Sequence, residues 1–273
     1  MVRMSDVGDR TVDVLKGRAG ILAGIALLTL VLPAIVAGAL GNVVPLTDPF
    51  VVLVPVVRFA VLVLLLLGML AVTAVASDPA VDQALALRIA ARRLPAALGL
   101  LVALVLMAVV LFIPAGALLA LSGATLTAAG TLDMTRATSG YAAGAGLSVV
   151  LAVVLGLWFS ARIVPLFAIV VNERRGFGAL RRSLALTRGA TLRLIGVLIL
   201  YFLVLTVTML AVTSVVGVVA RLVLGAEAAG AARFVVAVAS ALLSAAATVV
   251  QSVFYARFYV AAFEQEQHRT PLV

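Results

Sequence analysis

Six apolar stretches, at residues 20–40, 51–76, 95–121, 141–171, 194–220 and 234–263, run almost without charge, and short polar connectors part them. Each is at least as long as the ~20 residues that a helix needs to cross the hydrocarbon core of a bilayer. A segment in lipid must satisfy its backbone polar groups internally, so stretches of this length fold as helices. Composition agrees: 65% of the chain is hydrophobic and only 11% charged, where a soluble domain carries roughly 25% charged residues. The expected fold is all-α, a polytopic integral membrane bundle of about six transmembrane helices in one domain covering residues 1–273.

The connectors are not alike. Residues 1–18 have helical spacing of Val7, Val12 and Leu15 among mixed charges, which fits a short helix lying in the interface. The first apolar stretch follows a long n-region holding Asp6, Asp9 and Asp13, so it reads as a retained span rather than a cleaved leader. Pro33 is expected to kink it. Residues 41–50 hold Asn42, Pro45, Asp48 and Pro49 and read as a turn. Residues 122–140 form the longest and least patterned connection. Residues 80–94 and 173–189 are expected to form two interfacial amphipathic basic helices, the first capped by Ser77 or Asp78. In the second, Phe177, Leu180, Leu184 and Thr187 share one face.

Lysine and arginine fall on alternate connectors. Arg3, Arg10, Lys16, Arg18, Arg88, Arg92, Arg93, Arg174, Arg175, Arg181, Arg182, Arg188, Arg193, Arg257 and Arg269 lie on one side of a six-span layout. Arg136, Arg221 and Arg233 lie on the other, while Arg58 and Arg162 sit inside spans. Fifteen against three is the asymmetry that places the basic side in the cytoplasm, with both termini there. The net charge of +9 is thereby explained by topology, and nucleic-acid binding is not expected, because aromatic-interleaved basic strands and finger spacings are absent.

The two basic connectors echo each other. Without gaps, Asp78 aligns with Glu173, Ala84 with Ala179, Leu85 with Leu180, Ile89 with Leu184 and Arg93 with Arg188. The shared order (span, acid, basic helix, span) suggests two parallel copies of a hairpin with an interfacial helix at each tip.

Chemistry is sparsely supplied. The chain has no cysteine and one histidine, His268, which leaves no thiolate and no histidine-cluster metal site. No cofactor is expected. There is no HExxH, no G-x-S-x-G, no phosphate-binding glycine loop and no carboxylate pair within a span, and Ser183 has no histidine to activate it. An enzyme is not expected. The residues that invite a role are the charged ones. Arg162 lies about two turns from the end of the fourth span, at a depth where a charge is costly, and it either pairs with Glu173 or Asp78 or snorkels to the interface. Glu173 suits the N-terminus of the following helix. Arg162, Arg174, Arg175, Arg181, Arg182 and Arg188 are the candidate contacts for anionic lipid or another anion, the last five suiting headgroups at ~1 kcal/mol per charge. Trp158 is expected to pack between helices, and Phe254, Tyr255, Phe258 and Tyr259 to form an aromatic belt at headgroup level. Gln251 is expected to bond another helix.

Arg162, Pro165, Glu173, Gly176, Ala179-Leu180, Ser183, Leu186-Thr187 and Gly189 together resemble the membrane domain associated with glycerophosphoryl diester phosphodiesterases, and related six-span bacterial membrane proteins. The resemblance implies a multi-pass protein of the bacterial cytoplasmic membrane. In that family the hydrolase, where present, is a separate soluble barrel, which needs ~200 residues or more. Ten residues follow the sixth stretch here, so hydrolysis is not expected. The expected function is a non-catalytic membrane module whose partners are anionic lipids first, and proteins or further copies of itself second. The alternative is a transporter or channel-like protein for a small or lipidic solute, with Arg58, Arg162, Gln251 and the threonines of the fifth span lining its path.

Overall fold

A computed structural model describes residues 3–43, 53–126, 131–133, 135, 137–225 and 228–269. Most of the turn expected at 41–50, Arg136, Glu227 and the last four residues lie outside the described residues. Among those described, six helices are long and apolar enough to cross a membrane. The protein is an all-helical, multi-pass membrane bundle.

A short first helix, α1 (Met4–Gly17), precedes the spans. The first span runs through α2 (Ala19–Ala26), a π-helical turn at Leu27–Val31 and α3 (Leu32–Val43). The second is α4 (Leu53–Ser77) and the third α5 (Gln83–Leu121). The fourth is split into α6 (Ser139–Arg162) and α7 (Leu166–Asn172). A separate short helix, α8 (Gly178–Leu186), leads to the fifth span, α9 (Thr191–Leu224), and the sixth is α10 (Ala229–Arg269). In the connection between α5 and α6, Thr125–Leu126 pairs antiparallel with Leu132–Asp133.

The prolines act according to their place. Pro33 has no N–H for the carbonyl of Thr29, and the π-helical turn lies immediately before it, where such a turn absorbs the mismatch. Pro55 falls within the first turn of α4 as described, where amides have no intrahelical partner in any case. Pro95 and Pro114 lie within a continuous α5. Pro165 ends a helix.

The axis of the bundle is α4: half of its most apolar window is buried, against 6% of that of α9. It packs on the first span, α5, α7 and α10. Leu66, Leu70, Ala71, Val72, Ala74 and Val75 meet Leu22, Ile25 and Leu30 of the first span and Val249 and Val253 of α10. The helices approach closely where Gly68 faces the buried Thr29. A methyl added at Gly68 would collide with Thr29 Oγ1 and stand 3.0 Å from its Cβ. The outward faces of α5, α6 and α9 carry Val102, Leu106, Val110, Leu147, Leu203 and Leu210, all exposed, as lipid-facing surfaces are.

α1 and the last turns of α10 meet at one end of the bundle. Val7 of α1 is buried against Phe258 and Ala262 of α10, and Arg10 pairs with Glu264 at 3.1 Å. That end also gathers the connectors carrying Arg88, Arg92, Arg93 and the arginines of residues 174–188, and is called here the basic end. The aromatics expected as a headgroup belt are turned inward instead. Phe258 is fully buried and Tyr259 nearly so, because α1 lies across α10 and Ala161 and Val164 pack from the other side.

The two expected interfacial helices differ. Residues 83–94 are not a separate helix but the first turns of α5, which is 39 residues long and therefore ~58 Å, nearly twice the hydrocarbon thickness. Its N-cap is Asp82, whose Oδ1 accepts from the Leu85 amide at 2.7 Å, rather than Ser77 or Asp78. The second helix is detached from its span by a turn at 187–190, with Gly189 at φ +84°. In the ungapped echo Gly189 corresponds to Leu94. A leucine does not enter that left-handed conformation without strain, so the first connector continues as helix where the second turns.

Candidate functional site

The fourth span breaks at Arg162. Pro165 supplies no amide to the carbonyl of Ala161, and the Leu166 amide bonds to Ile163 O at 2.9 Å in place of Arg162 O. The carbonyl of Arg162 is freed inside the protein, where an unmet acceptor is costly. Ser183 of α8, itself fully buried, donates its hydroxyl to that oxygen at 2.7 Å. In return the Arg162 guanidinium donates through Nη1 to Leu184 O at 2.8 Å. Thr187, also fully buried, donates to Ser183 O at 3.0 Å, within α8 and its C-cap. The break in the span and the short helix are clamped to each other.

α8 therefore docks through Ala179, Ser183 and Thr187, all buried, so that of the expected face Thr187 is buried, Leu180 is partly buried against the core and Phe177 is not. Small and hydroxyl-bearing residues allow the close approach that those hydrogen bonds require. Phe177 is left 67% exposed at the start of α8. α7, between the break and α8, has Leu166, Ala168, Ile169, Val170 and Val171 all buried, as a helix apolar all round must be. Asn172 at its end donates to Ser77 Oγ at 3.1 Å, which ties the inner end of the fourth span to that of the second.

Arg162 and Glu173, the expected ion pair, are not brought together. Besides Leu184 O, the Arg162 guanidinium lies over the Trp158 ring, 4.9 Å from its centroid. Trp158 is in the last turn of α6 and exposed, so it faces outward over an arginine rather than packing between helices. Such stacking suits a cation at the edge of the membrane. Glu173 is the C-cap of α7, five residues before α8 begins, and does not serve the N-terminus of α8. It accepts instead from Tyr259 at 3.2 Å, from Arg182 Nε at 3.2 Å and from Arg175 Nε at 3.1 Å. Arg182 also grips Glu266 of α10 with both terminal nitrogens. The Glu266 carboxylate, followed by Glu173, holds the Arg182 guanidinium even further from deprotonation than an ordinary arginine.

The candidate arginines thus divide. Arg162 and Arg182 are committed to internal partners. Arg175 is half-committed, exposed but within reach of Glu173. Arg181 and Arg188 are exposed on α8 and the turn after it, and Arg174 is exposed with a left-handed backbone at φ +57°.

Arg18, read from the sequence only as a topology charge, turns out to hold the end of the second span. Its Nη1 reaches Val75 O at 2.9 Å, Asp78 O at 3.1 Å and Val81 O at 3.2 Å, and Nη2 reaches Pro79 O. One carbonyl in the last turn of α4 and three in the turn beyond it are met by one guanidinium, whose charge also suits the negative end of the helix. The only signal in the sequence is an arginine immediately before the first span, which does not reveal a partner some sixty residues on.

The residues expected to line a solute path are dispersed. Gln251 donates to Tyr255 OH at 2.6 Å, one turn on in its own helix rather than across helices, and both border a cleft with Gly8, Thr11 and Tyr201. Thr213 donates to Met209 O within α9 and borders a different cleft with Arg221 and Arg233. Arg58 is exposed near the opposite end of α4. Among the described residues no three His, Asp or Glu side chains gather as a metal site would need. No family model, no curated protein and no solved structure matches this chain.

Proposed function

We propose that the chain is a non-catalytic module of the cytoplasmic membrane that engages anionic lipids through its basic end, with that end in the cytoplasm. The observation that carries this reading is the outward face of α8. Phe177, just before α8, and Leu192, just beyond it, are among the most exposed apolar side chains at this end, and they flank exposed Arg181 of α8 and Arg188 of the following turn. In water such a face would cost free energy. In the headgroup region the apolar groups enter the acyl boundary and the guanidiniums meet phosphates. The commitment of Arg162, Ser183 and Glu173 to structural bonds, and the scatter of the polar span residues over separate clefts, support a module rather than a catalyst or a solute path. The likeness of residues 162–189 to the six-span membrane domain of glycerophosphoryl diester phosphodiesterases fits the same reading, and the clamp gives that run of residues a structural reason.

The test uses the full chain in nanodiscs of mixed phosphatidylcholine and phosphatidylglycerol, with spin-labelled forms of each lipid. The protein should immobilise the glycerol lipid preferentially. Salt and the double substitution Arg181→Gln/Arg188→Gln should both reduce that preference. Equal immobilisation of the two lipids by the unaltered protein overturns the reading.

A further inference from the structure

Between the two inner hairpin tips lies a cleft of about 190 Å³. Its floor is apolar, formed by Ala74 of α4, Val81, and Val171 of α7, all buried, with Ile89 of α5 at the side. Its rim is cationic: Arg92 and Arg93 from the first tip and Arg174 from the second, with Asn172 and Asp78 between them.

Three features mark this cleft, the first of them shared by Arg181 and Arg188. Among the described residues, Arg10, Arg175 and Arg182 each have a carboxylate within 4 Å, and Arg92, Arg93 and Arg174 have none. The one carboxylate at the cleft is turned to the backbone, with Asp78 Oδ1 accepting from the Ala80 amide at 2.8 Å. Three guanidiniums against one carboxylate leave a formal charge of +2. Lastly, Arg174 is the only non-glycine among the described residues with positive φ. That conformation costs of order 1 kcal/mol and a glycine would adopt it freely, so the position keeps an arginine side chain at the expense of backbone strain.

We propose that this cleft binds one phosphate group, that of an anionic phospholipid, and so joins the two hairpin tips. Guanidiniums arriving from separate elements match the several oxygens of a phosphate, with the paired geometry that a lysine could not supply. The apolar floor suits the glycerol and the first methylenes behind the phosphate. This site rests on the reading of the basic end as a lipid-facing surface, but differs from it in kind. The outward face of α8 attracts many headgroups weakly, whereas the cleft holds a single one.

The test uses the full chain in nanodiscs and native mass spectrometry of protein released from them. Phosphatidylglycerol is compared with phosphatidylcholine, and inorganic phosphate and glycerol 1-phosphate serve as soluble probes in phosphatidylcholine discs. The unaltered protein should retain one phosphatidylglycerol. Arg92→Gln/Arg93→Gln should weaken that retention by about tenfold or more, while Arg181→Gln/Arg188→Gln should leave it unchanged. Arg174→Gly guards against a folding artefact: with the strain relieved, it should melt at a higher temperature in phosphatidylcholine alone, yet gain less from phosphatidylglycerol. Protection by the soluble phosphates that is lost in the cleft variants would keep the phosphate site and assign it a soluble ligand, even if the lipid preference of the basic end fails. Equal retention by the cleft variants and the unaltered protein overturns the proposal. Equal loss in the cleft and α8 variants overturns it too, while leaving the general attraction of the basic end for anionic lipid intact.

Discussion

The Ser183 hydroxyl donates to the Arg162 carbonyl at 2.7 Å, across twenty-one residues of chain. This bond meets an acceptor that Pro165 and the tight turn at 163–165 release from the helix, and the Arg162 guanidinium returns the contact at Leu184 O. Replacing Ser183 with alanine leaves a buried carbonyl unmet, so Ser183→Ala should lower stability by about 1–3 kcal/mol. Thermal unfolding in detergent micelles would measure it. Hydrogen exchange at the amides of residues 178–190 should accelerate in the same variant, since α8 loses its anchor. Unchanged exchange there would refute the clamp.

Arg18 should be as sensitive as a core residue although it stands at the polar edge. Arg18→Gln withdraws the donors from Val75 O, Asp78 O, Pro79 O and Val81 O together. We expect destabilisation of about 2 kcal/mol or more, because hydrogen bonds to charged groups are worth ~1.5–3 kcal/mol each and do not add fully. Arg18→Lys should recover only part, since an ammonium lacks the fork that spans several carbonyls. Melting temperatures ranked unaltered, lysine, glutamine check this order.

Adjacent arginines of α8 should behave oppositely. Arg182→Gln breaks the bridge from Glu173 to Glu266 and should lower the melting temperature with little change in lipid preference. Arg181→Gln should leave the unfolding free energy within about 0.5 kcal/mol of the original and weaken the preference for anionic lipid. The pair of measurements fails the division of roles if both variants shift both quantities alike.

At the crossing of the first two spans, Gly68→Ala places a methyl against Oγ1 and Cβ of Thr29 and beside Cδ2 of Leu30. The cost should be about 1–3 kcal/mol, the range for an overpacked core. Adding Thr29→Ala should restore part of it, because the hydroxyl is the nearest obstacle while the Cβ remains tight. A double-mutant comparison of unfolding free energies would show the coupling.

Orientation has a direct test. Reporter fusions at Arg182 should read cytoplasmic, and fusions at Arg136 should read external. The reverse pattern would contradict the placement of the basic end in the cytoplasm.

The spans themselves were legible because lipid leaves a backbone of that length one option, and hydropathy records it. The break at 162–165 was only half visible: Arg162 and Pro165 stood out, but residues 141–171 read as one unbroken span. What Arg162 bonds to was not visible at all: Ser183 and Leu184 reach Arg162 only once α8 has folded back. Sequence likewise could not separate the two hairpin tips by charge, because both are basic. Their difference hangs on Gly189 against Leu94, one backbone conformation. The aromatics of α10 read as a belt because a pattern on a single helix does not show that α1 will cover it. Arg182 and Arg181 looked equivalent for the same reason, one of them finding Glu266 of α10 and the other nothing but the outside.

The seating of α1 on α10 has a consequence in time. Val7 is buried by Phe258 and Ala262, and Arg10 meets Glu264, so α1 rests on a helix made more than 200 residues later. Throughout synthesis α1 has nowhere to dock, although Arg18 can already close on the turn after α4 once residues 75–81 emerge. The first hairpin can thus be secured early while the segment ahead of it waits, its apolar stripe unoccupied, until the sixth span arrives. α1 is made before all six spans and seated only after the last of them.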